Sequence, residues 1–141
     1  MAFLTHKADG GRIPGLEYLP CAAITPKMGM ALIQSGGNLT TASGSSMPTY
    51  ISMVEKEAAC TAGDIIPVFR VLPDMVFETT FQAAASALKL GDLVTIHTDG
   101  MQVTATKTNG VAEIVEMGGT NAGDAVRVRF PMQHITQAQS G

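Results

Sequence analysis

The sequence contains no tryptophan and few charged residues, and each shortage argues against a class of protein. Of the 141 residues, 9 are Lys or Arg and 12 are Asp or Glu, so only 15% are charged and the net charge is −3. A weakly negative chain lacks the positive surface from which nucleic-acid binders gain most of their affinity. The hydrophobic fraction of 45% is enough for a core, which argues against a charge-rich disordered chain.

Long apolar runs and cysteine motifs are also missing. No run approaches the roughly 20 residues that a membrane-crossing helix needs, so we expect no membrane partner. The first seven residues lack a positive region followed by an apolar stretch, so we expect no secretory signal. The two cysteines, Cys21 and Cys60, form no Cys-x-x-Cys motif. We therefore expect no thiolate zinc site and two buried free thiols, although the sequence leaves a disulfide between them open.

The first 20 residues differ in composition from the rest of the chain. Residues 9–15 are rich in turn formers, and Pro14 and Pro20 hold the backbone extended. The segment also carries more apolar side chains than a solvated tail usually has. These side chains are Phe3, Leu4, Ile13, Leu16, Tyr18 and Leu19. We predict that residues 1–20 form an extended arm that contacts a partner, and that residues 21–141 form a single β-rich domain.

A Gly-Asp pair precedes an apolar run at three places in that domain. The pairs are Gly63-Asp64, Gly91-Asp92 and Gly123-Asp124. Glycine accepts the positive φ of a tight turn, aspartate bonds back to nearby backbone amides, and β-branched residues then extend the chain. The three pairs predict equivalent corners at which strands begin.

Strict alternation of apolar and polar residues predicts an antiparallel sheet with one buried face. Strands are predicted over residues 27–33, 50–54, 65–71, 93–96, 101–106, 111–117 and 125–130, with a loop over 35–48. Asp99-Gly100 and Asn109-Gly110 are hairpin signals. An alanine-rich run over residues 81–88 predicts one helix, capped by Thr79 or Thr80. The predicted fold is mainly β, a small antiparallel β-barrel or sandwich with one short helix and an extended N-terminal arm.

No arrangement of polar residues indicates catalysis. The histidines His6, His97 and His134 show no ligand spacing, and no nucleophile elbow or phosphate loop is present. Each of four aspartates lies beside a glycine at a strand end, where turn formation explains it without a metal: Asp64, Asp92, Asp99 and Asp124. We therefore expect no enzymatic activity, metal or cofactor. Arg127 and Arg129 are expected to pair with carboxylates, with Glu113 and Glu116 as candidates.

Several of these motifs together resemble small head proteins that tailed phages and prophages encode beside the major capsid gene. The resemblance covers about residues 22–130 and rests on residues 28–32 (MGMAL), 44–51 (GSSMPTYI), 62–68 (AGDIIPV), 99–104 (DGMQVT) and 122–128 (AGDAVRV). Such proteins are typically capsid decoration or cement proteins. The resemblance implies a virion protein without catalytic residues. It would be made in the host bacterial cytoplasm, bind the capsid exterior and stabilise the head.

The partners implied by this resemblance are the major capsid protein and neighbouring copies of the chain, with a homotrimer or a monomer both compatible. We expect residues 1–20 and the loop over 36–47 to make the contacts, the latter through Asn38, Leu39 and Met47. One alternative is a head–tail connector or tail component. Another is an oligonucleotide-binding β-barrel, which would need aromatic side chains stacking bases along a basic groove. Neither a specific nucleic acid nor a membrane is an expected partner.

Overall fold

Two five-stranded β-sheets make up the protein in the computed structural model, which describes residues 2–8 and 14–131. The strands are β1 (Leu4–Ala8), β2 (Leu16–Cys21), β3 (Ala31–Ser35), β4 (Asn38–Thr41), β5 (Tyr50–Ser52), β6 (Asp64–Arg70), β7 (Met75–Thr80), β8 (Leu93–Val94), β9 (Ala112–Met117) and β10 (Ala125–Arg129). One sheet is open, with the order β1-β7-β10-β9-β8. The other has the order β2-β4-β3-β5-β6 and curls into a barrel. The mainly β class with a barrel is confirmed.

The barrel is joined firmly on one side of β2 and weakly on the other. β2 pairs antiparallel with β6 over six residue pairs, from Leu16 opposite Phe69 to Cys21 opposite Asp64. On its other edge, β2 meets β4 in parallel at the single pair of Cys21 and Leu39. The Ala22 amide adds one hydrogen bond to the Leu39 carbonyl, at 2.8 Å. This seam is therefore the weakest point of the barrel.

Aromatic side chains join the two sheets into one structure. Phe69 points out of the barrel and stacks on Phe77 of β7, with ring centroids 6.2 Å apart. Phe77 in turn lies 5.7 Å from Phe130, and Phe130 lies 5.6 Å from Phe3. A separate, smaller apolar cluster fills the barrel and includes Leu32, Leu39, Ile66 and Val68. The larger core thus lies between the barrel and the open sheet.

The three Gly-Asp corners form as predicted. Their glycines have φ of +98°, +92° and +90°, a region that other residues rarely adopt. The carboxylates of Asp64, Asp92 and Asp124 each accept the backbone N–H of the residue three positions earlier, at 2.9 Å. Strands β6, β8 and β10 begin at or directly after these corners. A turn therefore accounts for each of these three carboxylates.

The predicted helix over residues 81–88 is wrong, because the described part of the chain contains no helix. Backbone donors in this segment bond to distant residues instead of forming a helical ladder. The Gln82 amide donates to Val103 O at 2.8 Å, and the Ala85 amide donates to Thr120 O at 2.7 Å. Two helical turns are marginal in isolation, so these tertiary hydrogen bonds decide the backbone conformation.

The hairpin region also differs from the prediction. Residues 101–106 form no strand; Val103 makes only isolated bridges, with Ile96 and Phe81. The turn at Asn109-Gly110 does form, with Asn109 at φ +57°. The strand that follows this turn, β9, pairs with β8 and β10 rather than with residues 101–106. Strands β4 and β7 were not among the predictions.

The first 20 residues are extended, but the described ones are built into the two sheets. Strand β1 pairs antiparallel with β7 at the edge of the open sheet. Strand β2 is a full member of the barrel. This placement differs from a separate arm, because β6 and β7 each need a partner strand for their backbone hydrogen bonds. Residues 9–13, which include Ile13, lie outside the described residues.

Candidate partner-binding surface

The outer side of β2 and β6 carries an exposed apolar surface. Leu16, Tyr18 and Ile65 are exposed by 53%, 65% and 58%, and we name these three residues the barrel face. The register places Tyr18 opposite Pro67, and Ile65 opposite Pro20. Residues paired across a sheet share one side of it, so the two half-buried prolines lie among the exposed side chains. The surface is therefore apolar across both strands.

The strict two-residue period of a strand explains why these side chains face outward. On β6, Ile66 and Val68 are fully buried inside the barrel, so Ile65 must lie on the opposite side. On β2, Cys21 is buried inside the barrel, and Leu19 packs against the same cluster. Tyr18 and Pro20 therefore point outward. The barrel core fixes the orientation of the barrel face.

A groove continues the barrel face toward the open sheet. Its volume is about 290 Å³, and its lining includes Leu4 of β1, Met28, Met53 and Phe69. Leu4, Met28 and Met53 are themselves exposed. Phe69 lies opposite Leu16 in the register, which places the groove beside the barrel face. The two features form one apolar region, because an aromatic side chain of the core borders both.

A charged group lies at the end of the barrel next to this region. Arg70 pairs with Glu17 at 3.4 Å and donates a hydrogen bond to the Tyr50 hydroxyl at 2.8 Å. Its guanidinium carbon also lies 5.0 Å from the centre of the Tyr50 ring. The hydroxyl of the otherwise buried Tyr50 thus gains a partner at the rim.

A second charged group lies on the open sheet. Arg127 contacts Glu78 at 3.1 Å and Glu116 at 3.1 Å. The expected pairing with Glu116 is confirmed, and Glu78 joins it from β7. The hydrogen bonds that Arg127 donates to Glu78, and then to Glu116, raise the pKa of Arg127. Because the two carboxylates hold this guanidinium, it does not form a separate anion site.

The predicted contact residues fall into three groups. Leu4, Leu16 and Tyr18 are exposed, and the structure brings all three into the apolar region described above. Leu19 and Asn38 are half-buried. Ile13 lies outside the described residues.

Phe3, Leu39 and Met47 are instead buried in the core of the protein itself. This corrects their assignment as contacts, since a partner could reach them only by opening the fold. Leu39 closes the barrel seam, and Phe3 and Met47 belong to the larger core. Sequence reasoning missed Ile65, although the pair Ile65-Ile66 at the start of a predicted strand signals one inward and one outward side chain.

No group of three or more His, Cys, Asp or Glu residues is placed to bind a metal ion within residues 2–8 and 14–131. No helix in the same residues is long and apolar enough to cross a membrane.

Comparison with known proteins finds a similarity in structure. No protein-family model matches the chain, and no curated protein sequence matches it. Among solved structures, the fold is similar to the N base of the head fiber protein gp8.5 of bacteriophage phi29, with a TM-score of 0.54 and 17% identity. The match covers 82% of this chain and 94% of that one. At this identity, the comparison shows a shared fold.

Proposed function

We propose that this protein is a structural component of a tailed-phage head that binds the capsid exterior as a decoration protein. The barrel face, an exposed apolar surface on the paired strands β2 and β6, is the observation that carries the proposal. The fold of the chain supports a role in a phage head, because this fold resembles that of the N base of a head fiber protein. No catalytic role is included in the proposal.

The physical properties of the barrel face suit a contact that is repeated many times. Three large apolar side chains stand in solvent on one side of β2 and β6, and covering them removes apolar area from water. One such contact is modest, but a lattice of capsid subunits offers the same contact many times. The partner that we propose for this surface is the major capsid protein, with neighbouring copies of the chain at adjacent lattice positions.

Binding to heads that lack this protein tests the proposal. Purified wild type and two variants, Tyr18→Glu and Ile65→Lys, would be sedimented with such heads, and the bound fraction measured against concentration. Leu90→Lys is the matched control, because Leu90 is exposed by 63% but belongs to neither β2 nor β6. A contact residue at the centre of an interface contributes about 2 kcal/mol or more, so we expect each face variant to weaken binding by about 30-fold or more.

Two outcomes of this experiment, and a separate count of copies per particle, would contradict the proposal in different ways. Equal binding by the face variants and the Leu90→Lys control would remove the barrel face as the contact. No binding of the wild type would remove the capsid exterior as the partner. A copy number that corresponds to a single ring per particle, instead of a repeated lattice, would favour a head–tail connector or tail component.

The distribution of aromatic side chains weighs against an oligonucleotide-binding barrel. Six of the seven aromatic residues are buried, and Tyr18 alone is exposed. Single-stranded nucleic acid is bound by several stacking aromatics along a positive groove. A gel-shift assay at low salt tests this alternative, and we expect no shifted band at micromolar protein.

A further inference from the structure

The two cysteines are brought together at the end of the barrel. Cys21 ends β2, and Cys60 lies in the loop between β5 and β6; both thiols are free and buried. Two backbone hydrogen bonds hold their segments side by side. The Gly63 amide donates to Cys21 O at 2.8 Å, and the Cys60 amide donates to Ile24 O at 2.8 Å. Thirty-nine positions apart in sequence, the two residues thus share one small region of the fold.

The thiols also interact directly. Both belong to the apolar cluster inside the barrel. Burial, followed by the charge and hydrogen-bond interactions with Cys60, raises the pKa of Cys21 from 9.0 to about 11. The chain contains no other cysteine, so within one molecule each thiol has a single possible partner.

We propose that Cys21 and Cys60 form an intramolecular disulfide when the folded protein meets a small oxidising disulfide such as oxidised glutathione. The Cys60 thiolate attacks one glutathione sulfur, which forms a mixed disulfide and releases one glutathione thiolate. The Cys21 thiolate then attacks the Cys60 sulfur and displaces the second glutathione. Two protein thiols are oxidised, one glutathione disulfide is reduced to two thiols, and the protons lost by the cysteines pass to the glutathione thiolates.

Cys60 reacts first because of its surroundings. Residues 57–59 and 61–63 on either side of it are exposed, so local opening of this loop uncovers the thiol. Cys21 instead lies in a strand that is paired with Asp64 on one side and Leu39 on the other. The high pKa of Cys21 keeps the exchange slow at neutral pH, since only the thiolate reacts.

The disulfide would add a covalent link at the end of β2. It would tie Cys21 to the loop that precedes β6, on the side of β2 that pairs with β6. The closed ring would contain about 40 residues, which by loop entropy raises the thermal midpoint on the order of 10 °C. The inference goes beyond the proposed function and does not depend on it, because it concerns this chain alone in solution.

The test uses the full-length wild-type protein, purified under reduction and incubated with oxidised glutathione at pH 8.5. We expect the intact mass to fall by two hydrogen atoms. Proteolysis should then release one peptide pair that links Cys21 to Cys60, and the thermal midpoint should rise relative to the reduced protein. Cys60→Ala and Cys60→Val are controls in which oxidation leaves the midpoint unchanged. A chain unfolded in guanidinium and treated in the same way shows that the oxidant is active.

Specific results would overturn the proposal. One is a wild type that keeps both thiols while the unfolded chain is oxidised. A second is a stable glutathione adduct at Cys60 as the end product, since it would mean that Cys21 cannot reach the sulfur. A third is a disulfide-linked dimer as the main product. The mass and peptide readouts need no folded variant, so the proposal remains testable even if both Cys60 variants fail to fold.

Discussion

Truncation of Phe3 to alanine is the sharpest test of how the N-terminal residues are placed. Phe3 is 1% exposed, packs edge-on against Phe130 at 5.6 Å, and its amide donates to Gly29 O at 2.9 Å. Removing a buried phenylalanine costs about 3–5 kcal/mol, because the transfer free energy is lost and a cavity remains. If residues 1–20 were a solvated arm, the same change would cost almost nothing.

The expected loss can be converted to a shift of the thermal midpoint. Unfolding entropy is about 2.1 cal/mol/K per residue, which gives about 0.3 kcal/mol/K for 141 residues. A loss of about 3–5 kcal/mol therefore lowers the midpoint by about 10–17 °C. Calorimetry of the reduced protein measures this shift directly, and urea titration checks the change in free energy.

The neighbouring residue supplies the control. Leu4 is exposed, so we expect Leu4→Ala to change stability by less than about 0.5 kcal/mol. If Phe3→Ala and Leu4→Ala gave the same small shift, Phe3 would not be part of the core. Such a result would refute the packing of the N-terminal segment into the core beside β1.

Three further predictions follow from particular contacts. Gly110→Ala should destabilise the protein by about 2 kcal/mol or more, because the new Cβ would collide with the Leu93 carbonyl group and lie 2.6 Å from the Val94 nitrogen. Gly15→Ala is the control and should be nearly neutral, since nothing lies within 4 Å of a Cβ added there. Urea midpoints of the two variants measure the difference in stability. Asp92→Ala should cost about 1 kcal/mol in the same assay, because its carboxylate bonds the backbone at the corner before β8, and Asp92→Asn, which keeps an acceptor oxygen, should cost less. Folding raises the pKa of Cys21 to about 11, so in the folded state this thiol keeps its proton at pH values where the unfolded chain has lost it. The contribution of Cys21 to the free energy of unfolding should therefore be fully present below pH 9. It should fall as the pH rises toward 11, by up to about 1.4 kcal/mol per pH unit. Urea titrations under reduction check this slope, and a reduced wild type whose stability stays flat between pH 9 and 11 would contradict it.

The corners of the fold could be predicted from sequence because each is a local event. A glycine with positive φ and an aspartate that bonds an amide three residues away need no distant partner. The ion pair of Arg127 with Glu116 was likewise predictable, because both residues lie on strands with clear alternation. The strand β7 was not predicted, and with it the second partner of Arg127, Glu78, was missed.

The exposed surface could be predicted only in part. Composition marked Leu16 and Tyr18 as unusual apolar residues for a terminal segment, but it also marked Phe3. Whether such a residue is exposed or buried depends on which strand pairs with its segment and on which side of that pair it lies. Leu16 and Tyr18 became exposed because β6 orients Ile66 and Val68 into the barrel.

The sequence by itself therefore determined the β class, the three corners and the shortage of charge. Each of these depends on the conformational preference or chemistry of residues that are close together along the chain. Only the tertiary structure decided the loss of the helix over residues 81–88, the burial of Phe3, the barrel face and the meeting of Cys21 with Cys60. These features depend on hydrogen bonds and packing between residues that are distant in sequence, which local preference does not encode.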